Sequence, residues 1–315
     1  MILLCRYLLL TGFRGSSKVA SYRCHVCLPL LKDHHRSPTA MAPVVLVTGC
    51  TTGSIGYALC EEFARQGCKV YATSRRVETI GESSFPSIER LPLDVTSDES
   101  VAKAVEHIIE QDGKLDILVN NAGALVPGPL LDLDIDDVKR SFDLNTVSIL
   151  RVSKAVVPHM AKRHSGLIIN IGSVVGEIAT PWAGLYCATK AAVDSISKVL
   201  AMECQPLNIQ VMHVAPGAIT SNIAANGTSQ FNLPEDSLWS AYLPDMIRRI
   251  SASQGKHSMS GEDFAKQVVG KALRKKQPFY TYLTLGGQSL LFIILRWLPR
   301  TVLLRLMWRA YSKKE

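Results

Sequence analysis

The sequence predicts a doubly wound α/β domain built on a parallel sheet, and three observations carry that prediction. Short apolar runs alternate with amphipathic helical patterns from Val44 onward. The runs are continuously apolar, as strands covered on both faces are. A glycine-rich turn, TGCTTGSIG at residues 48–56, joins the first run to the first helical pattern, where such a fold places a nucleotide-binding turn.

The elements follow in order. VVLVTG opens the domain, and helical spacing after the turn covers residues 55–67. KVYATS, IERLPLDV, DILVNNAG, GLIINIGS and IQVMHVAPG supply five further strands, with helical patterns over 98–111, about 135–162 and about 183–203. Strands alternating with helices imply right-handed crossovers and hence parallel pairing. After Gly217 the pattern loosens into a polar stretch, an apolar-aromatic one and the helix-like GEDFAKQVVGKALRKK. Ligands in such folds sit beyond the carboxyl ends of the strands, so residues 221–260 are expected to form a substrate lid. The domain is expected to span 41–285, between a leader over 1–40 and a basic tail over 286–315.

With 315 residues and 47% apolar composition, the chain can bury a large core. The net charge of +8 is concentrated at the ends. Residues 1–40 carry six basic side chains against one acidic, residues 271–315 ten against one, and the middle nineteen against twenty-five. A mildly acidic globular part argues against nucleic-acid binding, which needs basic surface on the folded domain. Eight cysteines without the dense spacing of a secreted scaffold suggest a reducing compartment. The leader has no acid before Asp33 and reads as an organelle transit peptide, while Met41 offers an alternative start. Cys24 and Cys27 have metal-type spacing but no second ligand pair, so no metal site is expected.

The turn is not a nucleoside triphosphate loop, because Gly53 is followed by Ser54-Ile55 and Gly56 by Tyr57, where Lys and Ser or Thr are required. It does offer a helix amino end that can direct free N–H groups at a pyrophosphate. At the end of KVYATS, an acidic residue would accept the ribose hydroxyls of NAD. Ser74, Arg75 and Arg76 stand there instead and suit a 2′-phosphate, which points to NADP(H). Tyr186 and Lys190, at i and i+4, share one helix face. A nearby ammonium would lower the tyrosine pKa from its reference of about 10, producing a general acid/base. Ser173 follows GLIINI and so stands at a strand's carboxyl end, within reach of a substrate oxygen. His213 reads as a packed strand residue, and Cys187 points away from Tyr186.

These motifs, in this order, resemble the short-chain dehydrogenase/reductase family over residues 43 to about 285. The glycine turn matches that family's loop with one extra residue, which assigns Thr48, Gly49, Thr51, Gly53, Ile55 and Gly56 to the cofactor. Asp94-Val95 resembles the adenine-side pair, Asn121, Ala122 and Gly123 belong to the strand-four motif, and Asn145 in SFDLN matches the catalytic asparagine. Pro216, Gly217, Ile219 and Ser221 match the nicotinamide-side motif, which usually ends in Thr. The extra residue and Cys50 look most like the fungal acyldihydroxyacetone phosphate reductase branch.

The resemblance implies a single domain with a Rossmann-type sheet, hydride transfer involving NADP(H), and a homodimer or homotetramer. It implies that Tyr186 exchanges the proton with the substrate oxygen, Lys190 holds the nicotinamide ribose and depresses the tyrosine pKa, Ser173 orients the carbonyl, and Asn145 anchors a water that relays protons to Lys190. A catalytically silent NADPH sensor at a lipid surface is the alternative.

The substrate is expected to be apolar, because Leu125, Val174, Val175 and Trp182 lie near the cleft and the lid adds Phe231, Trp239, Tyr242 and Met246. A lipid-like, steroid-like or terpenoid ketone or alcohol would fit. An acyldihydroxyacetone phosphate would also need a phosphate clamp, for which Arg248 and Arg249 are the paired candidates. Residues 279–295 form an uncharged run shorter than the ~20 residues of a usual spanning helix. Beyond it, Leu304, Trp308 and Tyr311 share one side and Arg305 and Arg309 another. Such a tail is expected to touch a membrane or lipid droplet, or else to pack on the domain or a dimer partner. The expected location is the cytoplasmic face of the endoplasmic reticulum or a lipid droplet, with the cytosol, or the mitochondrion if 1–40 is a transit peptide, as alternatives.

Overall fold

In the computed structural model, which describes residues 42–312, strand and helix alternate through the first two thirds of the chain. The elements are β1 (Val44–Thr48), α1 (Ile55–Arg65), β2 (Lys69–Ser74), β3 (Ile88–Pro92), α2 (Asp98–Asp112), β4 (Ile117–Asn120), α3 (Ile135–Phe142), α4 (Ser148–Lys162), β5 (Gly166–Ile171), α5 (Gly184–Cys204) and β6 (Ile209–Pro216). Then come α6 (Ile223–Gln230), α7 (Leu243–Ile250), α8 (Gly261–Ala272), β7 (Tyr280–Leu285), α9 (Ser289–Leu295) and α10 (Arg300–Tyr311). The readings of residues 1–40 as a leader, including Cys24 and Cys27, lie outside the described residues.

All seven strands pair in parallel, in the order β3-β2-β1-β4-β5-β6-β7. The chain builds outward from β1 to β3, then crosses to β4 on the other side of β1. That reversal opens a crevice beyond the carboxyl ends of β1 and β4, where ligands of such sheets bind. β1 and β4–β6 carry the continuous apolar runs, and their residues are buried almost without exception. On one face, Leu59, Cys60 and Phe63 of α1 and Phe264, Val268 and Val269 of α8 pack on the sheet. On the other, Val105 and Ile108 of α2, Val152 and Val156 of α4 and Ala201 of α5 do the same. Serine side chains cap the amino ends of α1 (Ser54), α2 (Ser97) and α8 (Ser260), accepting N–H groups that have no intrahelical partner.

Three departures from the sequence reading bear on the site. The helix expected over 135–162 contains a π-helical turn at Asp143–Val147, and such a turn widens the helix locally to re-aim a side chain. Part of the uncharged run over 279–295 is the edge strand β7, where Tyr280, Thr281, Tyr282 and Thr284 favour a pleated edge. Residues beyond 285 are also bonded to the domain. Ala218 and Gly287 exchange both backbone hydrogen bonds, and Phe292 and Met307 are buried in a cluster with Leu125, Val174, Val175 and Ile250. Among the described residues, no helix is long and apolar enough to cross a membrane.

Candidate active site

The carboxyl end of β1 runs straight into the glycine turn. Gly49 and Gly53 have φ of +73° and +78°, which side-chain-bearing residues rarely adopt. A Cβ at Gly49 would come within 2.8 Å of the Ala122 backbone, so the turn lies directly against the end of β4. Thr48 fixes that contact, since its Oγ1 accepts the backbone N–H groups of Asn121 and Ala122, each at 3.0 Å. Asn121 returns the contact by donating from Nδ2 to the carbonyls of Thr48 and Gly49 at 2.8 and 3.0 Å. The result is a rigid cradle with the amino end of α1, at Ile55 and Gly56, aimed across it. Asn222, which the sequence reading did not single out, braces it from the lid side by donating to the Thr52 carbonyl at 2.7 Å.

The predicted adenosine-side residues sit at the ends of β2 and β3. Thr51, Arg75 and Arg76 are exposed at this rim, and the Ser74 hydroxyl is tied to Thr79 at 3.1 Å. Burial alone would raise the Asp94 carboxyl pKa, but two hydrogen bonds from Thr96 and the nearby Arg75 charge hold it below its usual value. The Val95 side chain belongs to the core.

The predicted catalytic residues converge from three elements. Ser173 follows β5, Tyr186 and Lys190 lie on the first turns of α5, and Asn145 sits in the π-helical turn. Ser173, Tyr186 and Lys190 line one cleft together with Asn121, Gly123, Pro216, Gly217, Ile219 and Ser221. The Lys190 ammonium lies 5.6 Å from the Tyr186 ring centroid and donates to the Ile171 carbonyl at 2.8 Å. Asn145 is buried: its Oδ1 accepts from Ala124 N at 2.8 Å, and its Nδ2 donates to Ala124 O at 2.9 Å and Thr189 Oγ1 at 3.2 Å. Asn145 and Lys190 meet at Gly123, where a Cβ would stand 3.1 Å from Asn145 Oδ1 and 3.6 Å from Lys190 Nζ.

The electrostatics differ from the sequence expectation. Burial pushes the Tyr186 phenol up to about 12, and the Cys187 thiol adds to this, while the Arg249 charge and a hydrogen bond with Ser173 oppose it. Burial also brings the Lys190 ammonium down to about 8. Two buried groups that each lose hydration resist their charged forms. Burial thus favours the neutral form of each group, raising the phenol and lowering the ammonium.

The cleft encloses about 1030 Å³ including its open mouth. Beyond the predicted residues it takes Phe292 and Tyr311 from the tail and Arg249 from α7. Arg248 and Arg249 do not act as a pair: Arg248 is bonded to the buried Asp245, whereas Arg249 faces the cleft. His213, as read, is packed, stacked on Tyr282 with ring centroids 5.4 Å apart and bonded to Ser197 at 3.2 Å. Cys50, Cys60, Cys187 and Cys204 are buried free thiols.

Residues 43–231 match the family described as short chain dehydrogenase. The chain belongs to that family. A short-chain dehydrogenase of Penicillium ochrochloron is 35% identical over 234 residues, covering 74% of this chain and 85% of that one. The NADPH-dependent 1-acyldihydroxyacetone phosphate reductase of Schizosaccharomyces pombe is 35% identical over 202 residues, 63% of this chain and 68% of the relative. The crystal structure of a short-chain dehydrogenase from Streptomyces avermitilis superposes with a TM-score of 0.72 at 28% identity, covering 86% of this chain and 97% of that one.

Short-chain dehydrogenases are oxidoreductases that use NAD(P), and the cleft fits that cofactor. The cradle of Gly49 and Gly53 admits close approach of a pyrophosphate. At the opposite end the Ser221 hydroxyl is buried without a hydrogen-bond partner among the described residues, a donor and acceptor available to a nicotinamide carboxamide. Residues 43–231 hold the nucleotide cradle and the Ser173–Tyr186–Lys190 cluster of this short-chain dehydrogenase, while α7, α9 and α10, which shape the rest of its cleft, lie outside the match.

Proposed function

We propose that the protein is an NADP(H)-dependent oxidoreductase that interconverts a ketone and a secondary alcohol on a hydrophobic substrate. The supporting observation is that Ser173, at the carboxyl end of β5, and Tyr186 and Lys190, on α5, face one largely apolar cleft. The preference for NADP(H) over NAD(H) rests on Ser74, Arg75 and Arg76 at the rim, where guanidiniums can make charge-assisted hydrogen bonds to a 2′-phosphate. The relative in Schizosaccharomyces pombe is itself described as NADPH-dependent.

The cofactor, when bound, supplies or accepts the hydride. Ser173 donates a hydrogen bond to the substrate oxygen and so orients the carbonyl. Tyr186, whose raised pKa keeps its proton at rest, donates that proton to the same oxygen during reduction and takes it back during oxidation. Lys190 donates to the Ile171 carbonyl at 2.8 Å and, with its remaining protons, would hold the ribose of a bound cofactor. Asn145 keeps the π-helical turn and the Ala124 loop at a fixed distance, so the floor beneath Lys190 does not collapse. Its water-anchoring role is an extension of the family resemblance.

Acyldihydroxyacetone phosphate, a terpenoid and a steroid-like compound are the candidate substrates. The tail supplies a lipid-surface contact in this reading. Leu290, Leu291, Ile294, Trp297 and Leu304 are exposed large apolar side chains interspersed with Arg296, Arg300, Arg305 and Arg309, a pairing suited to an anionic interface. The enzyme would then work at the cytoplasmic face of the endoplasmic reticulum or a lipid droplet, as a homodimer or homotetramer. The function is tested by assaying purified protein with NADPH or NADP⁺ against a panel of apolar ketones and alcohols, with products identified by mass spectrometry. Absence of turnover on every class, with NADPH bound, would favour a silent sensor.

A further inference from the structure

Among the described residues, the charged ones lining the cleft are Lys190 and Arg249, and no carboxylate lines it. Lys190 is committed to the Ile171 carbonyl and the catalytic cluster. Arg249 is held differently. Its Nε donates to Thr180 Oγ1 at 2.9 Å, and its guanidinium carbon sits 5.4 Å from the Tyr311 ring centroid. These two contacts fix the plane of the guanidinium from its back edge and one face. Among the described residues no carboxylate lies within ion-pair distance of it and no acceptor meets its terminal nitrogens. The neighbouring Arg248 shows the ordinary alternative, since it is half exposed and bonded to Asp245.

A half-buried cation with no counter-ion among the described residues, pre-oriented at the wall of a largely apolar cleft, is costly to maintain unless an anion completes it. Its planar fork matches an oxyanion, which can accept two parallel N–H bonds.

We propose that Arg249 recognises an oxyanion, a phosphate or a carboxylate, carried by the substrate, and so selects acidic lipid-like ketones or alcohols over neutral ones. This rests on the ketone–alcohol reading of the same cleft and narrows its substrate class. The apolar side chains around the anion subsite, Leu125, Val174, Val175, Ile223 and Phe292, receive the hydrocarbon part. Tyr311, which stacks on Arg249, closes the subsite from the tail.

The test uses the full chain saturated with NADP⁺, so that the nucleotide phosphates are already placed. Binding of octyl phosphate, octanoate and 1-octanol is followed by quenching of intrinsic tryptophan fluorescence, which needs no turnover. At least one anion should bind about ten- to hundred-fold more tightly than the alcohol, the range expected from one or two charge-assisted hydrogen bonds. Tighter octyl phosphate assigns a phosphate, and tighter octanoate a carboxylate. In Arg249→Gln the preference should fall below about threefold, while Arg249→Lys, which keeps the charge but not the fork, should retain part of it. Equal binding of the alcohol and both anions overturns the proposal. So does anion preference that survives unchanged in a folded Arg249→Gln protein. Anion preference without turnover on any ketone would leave this subsite standing and remove the catalytic reading instead.

Discussion

The indole Nε1 of Trp182 donates a 2.8 Å hydrogen bond to the carbonyl oxygen of Tyr311, tying the segment before α5 to the last turn of α10. Trp182 is held there at a φ of +65°, a conformation a bulky residue adopts only when its surroundings impose it. Its ring also packs against Tyr242 and Trp308, with centroids 5.3 and 5.6 Å away. Tyr311 itself lines the candidate cleft together with Phe292, so the tail forms part of its wall.

A chain ending at Leu298 should accordingly lose more than a surface attachment. Removing Met307, Trp308 and Tyr311 uncovers Trp182, Tyr242 and Arg249, and a loss of about 2–5 kcal/mol is expected, or roughly 5–15 °C in Tm. Thermal unfolding of the two chains compares them directly. A truncated protein with unchanged Tm would show that these contacts do not support the fold.

Tyr186→Phe removes the proton donor but keeps the ring against Lys190. Turnover should drop by about a thousandfold or more, in line with loss of general acid catalysis, while NADPH affinity stays within a few-fold. Steady-state rates alongside NADPH fluorescence titration separate the two, and substantial residual turnover would assign the proton transfer elsewhere.

Replacing Arg75 and Arg76 together with alanine strips the charge-assisted bonds available to a 2′-phosphate, each worth roughly 1.5–3 kcal/mol. NADPH should weaken by at least about tenfold, with NADH little changed. A wild-type protein that already prefers NADH in kcat/KM would contradict the reading of the β2 terminus.

His213 gives the fold an acid-sensitive point. Burial lowers its pKa from 6.5 to about 4, with Lys190 and Lys198 adding to the effect and Asp194 opposing it. The unfolded chain then binds a proton that the folded one refuses. Stability is complete above pH ~6.5 and declines as pH falls toward ~4, by an amount of order 3 kcal/mol. His213→Asn, which preserves a donor toward Ser197, should flatten this part of the profile in urea melts run at several pH values. An unaltered slope in that variant would place the acid sensitivity in other groups.

If the exposed side of α9 and α10 meets lipid, full-length protein should float with vesicles containing anionic phospholipid, and less so at high salt. Trp297 is 75% exposed, so Trp297→Ser should weaken flotation without destabilising the fold. Protein that remains with the soluble fraction at low salt would leave the packed role as the only one for the tail.

By itself the sequence determined the sheet, the nucleotide turn and the catalytic spacing. Each of these is written locally: in continuous apolar strands, in glycines at positions of positive φ, and in a Tyr–Lys pair one helical turn apart. Only the tertiary structure decided the rest. The face of α10 bearing Trp308 and Tyr311 is equally suited to lipid or to protein, and the choice turns on Trp182 and Tyr242, which are distant in sequence. Arg248 and Arg249 are adjacent and alike in the chain, yet one turns to Asp245 and the other to the cleft because successive helix positions point about 100° apart. The strand β7 was hidden in an uncharged run that periodicity cannot separate from a helix. The protonation of Tyr186 and Lys190 likewise depends on burial, which no spacing of residues encodes.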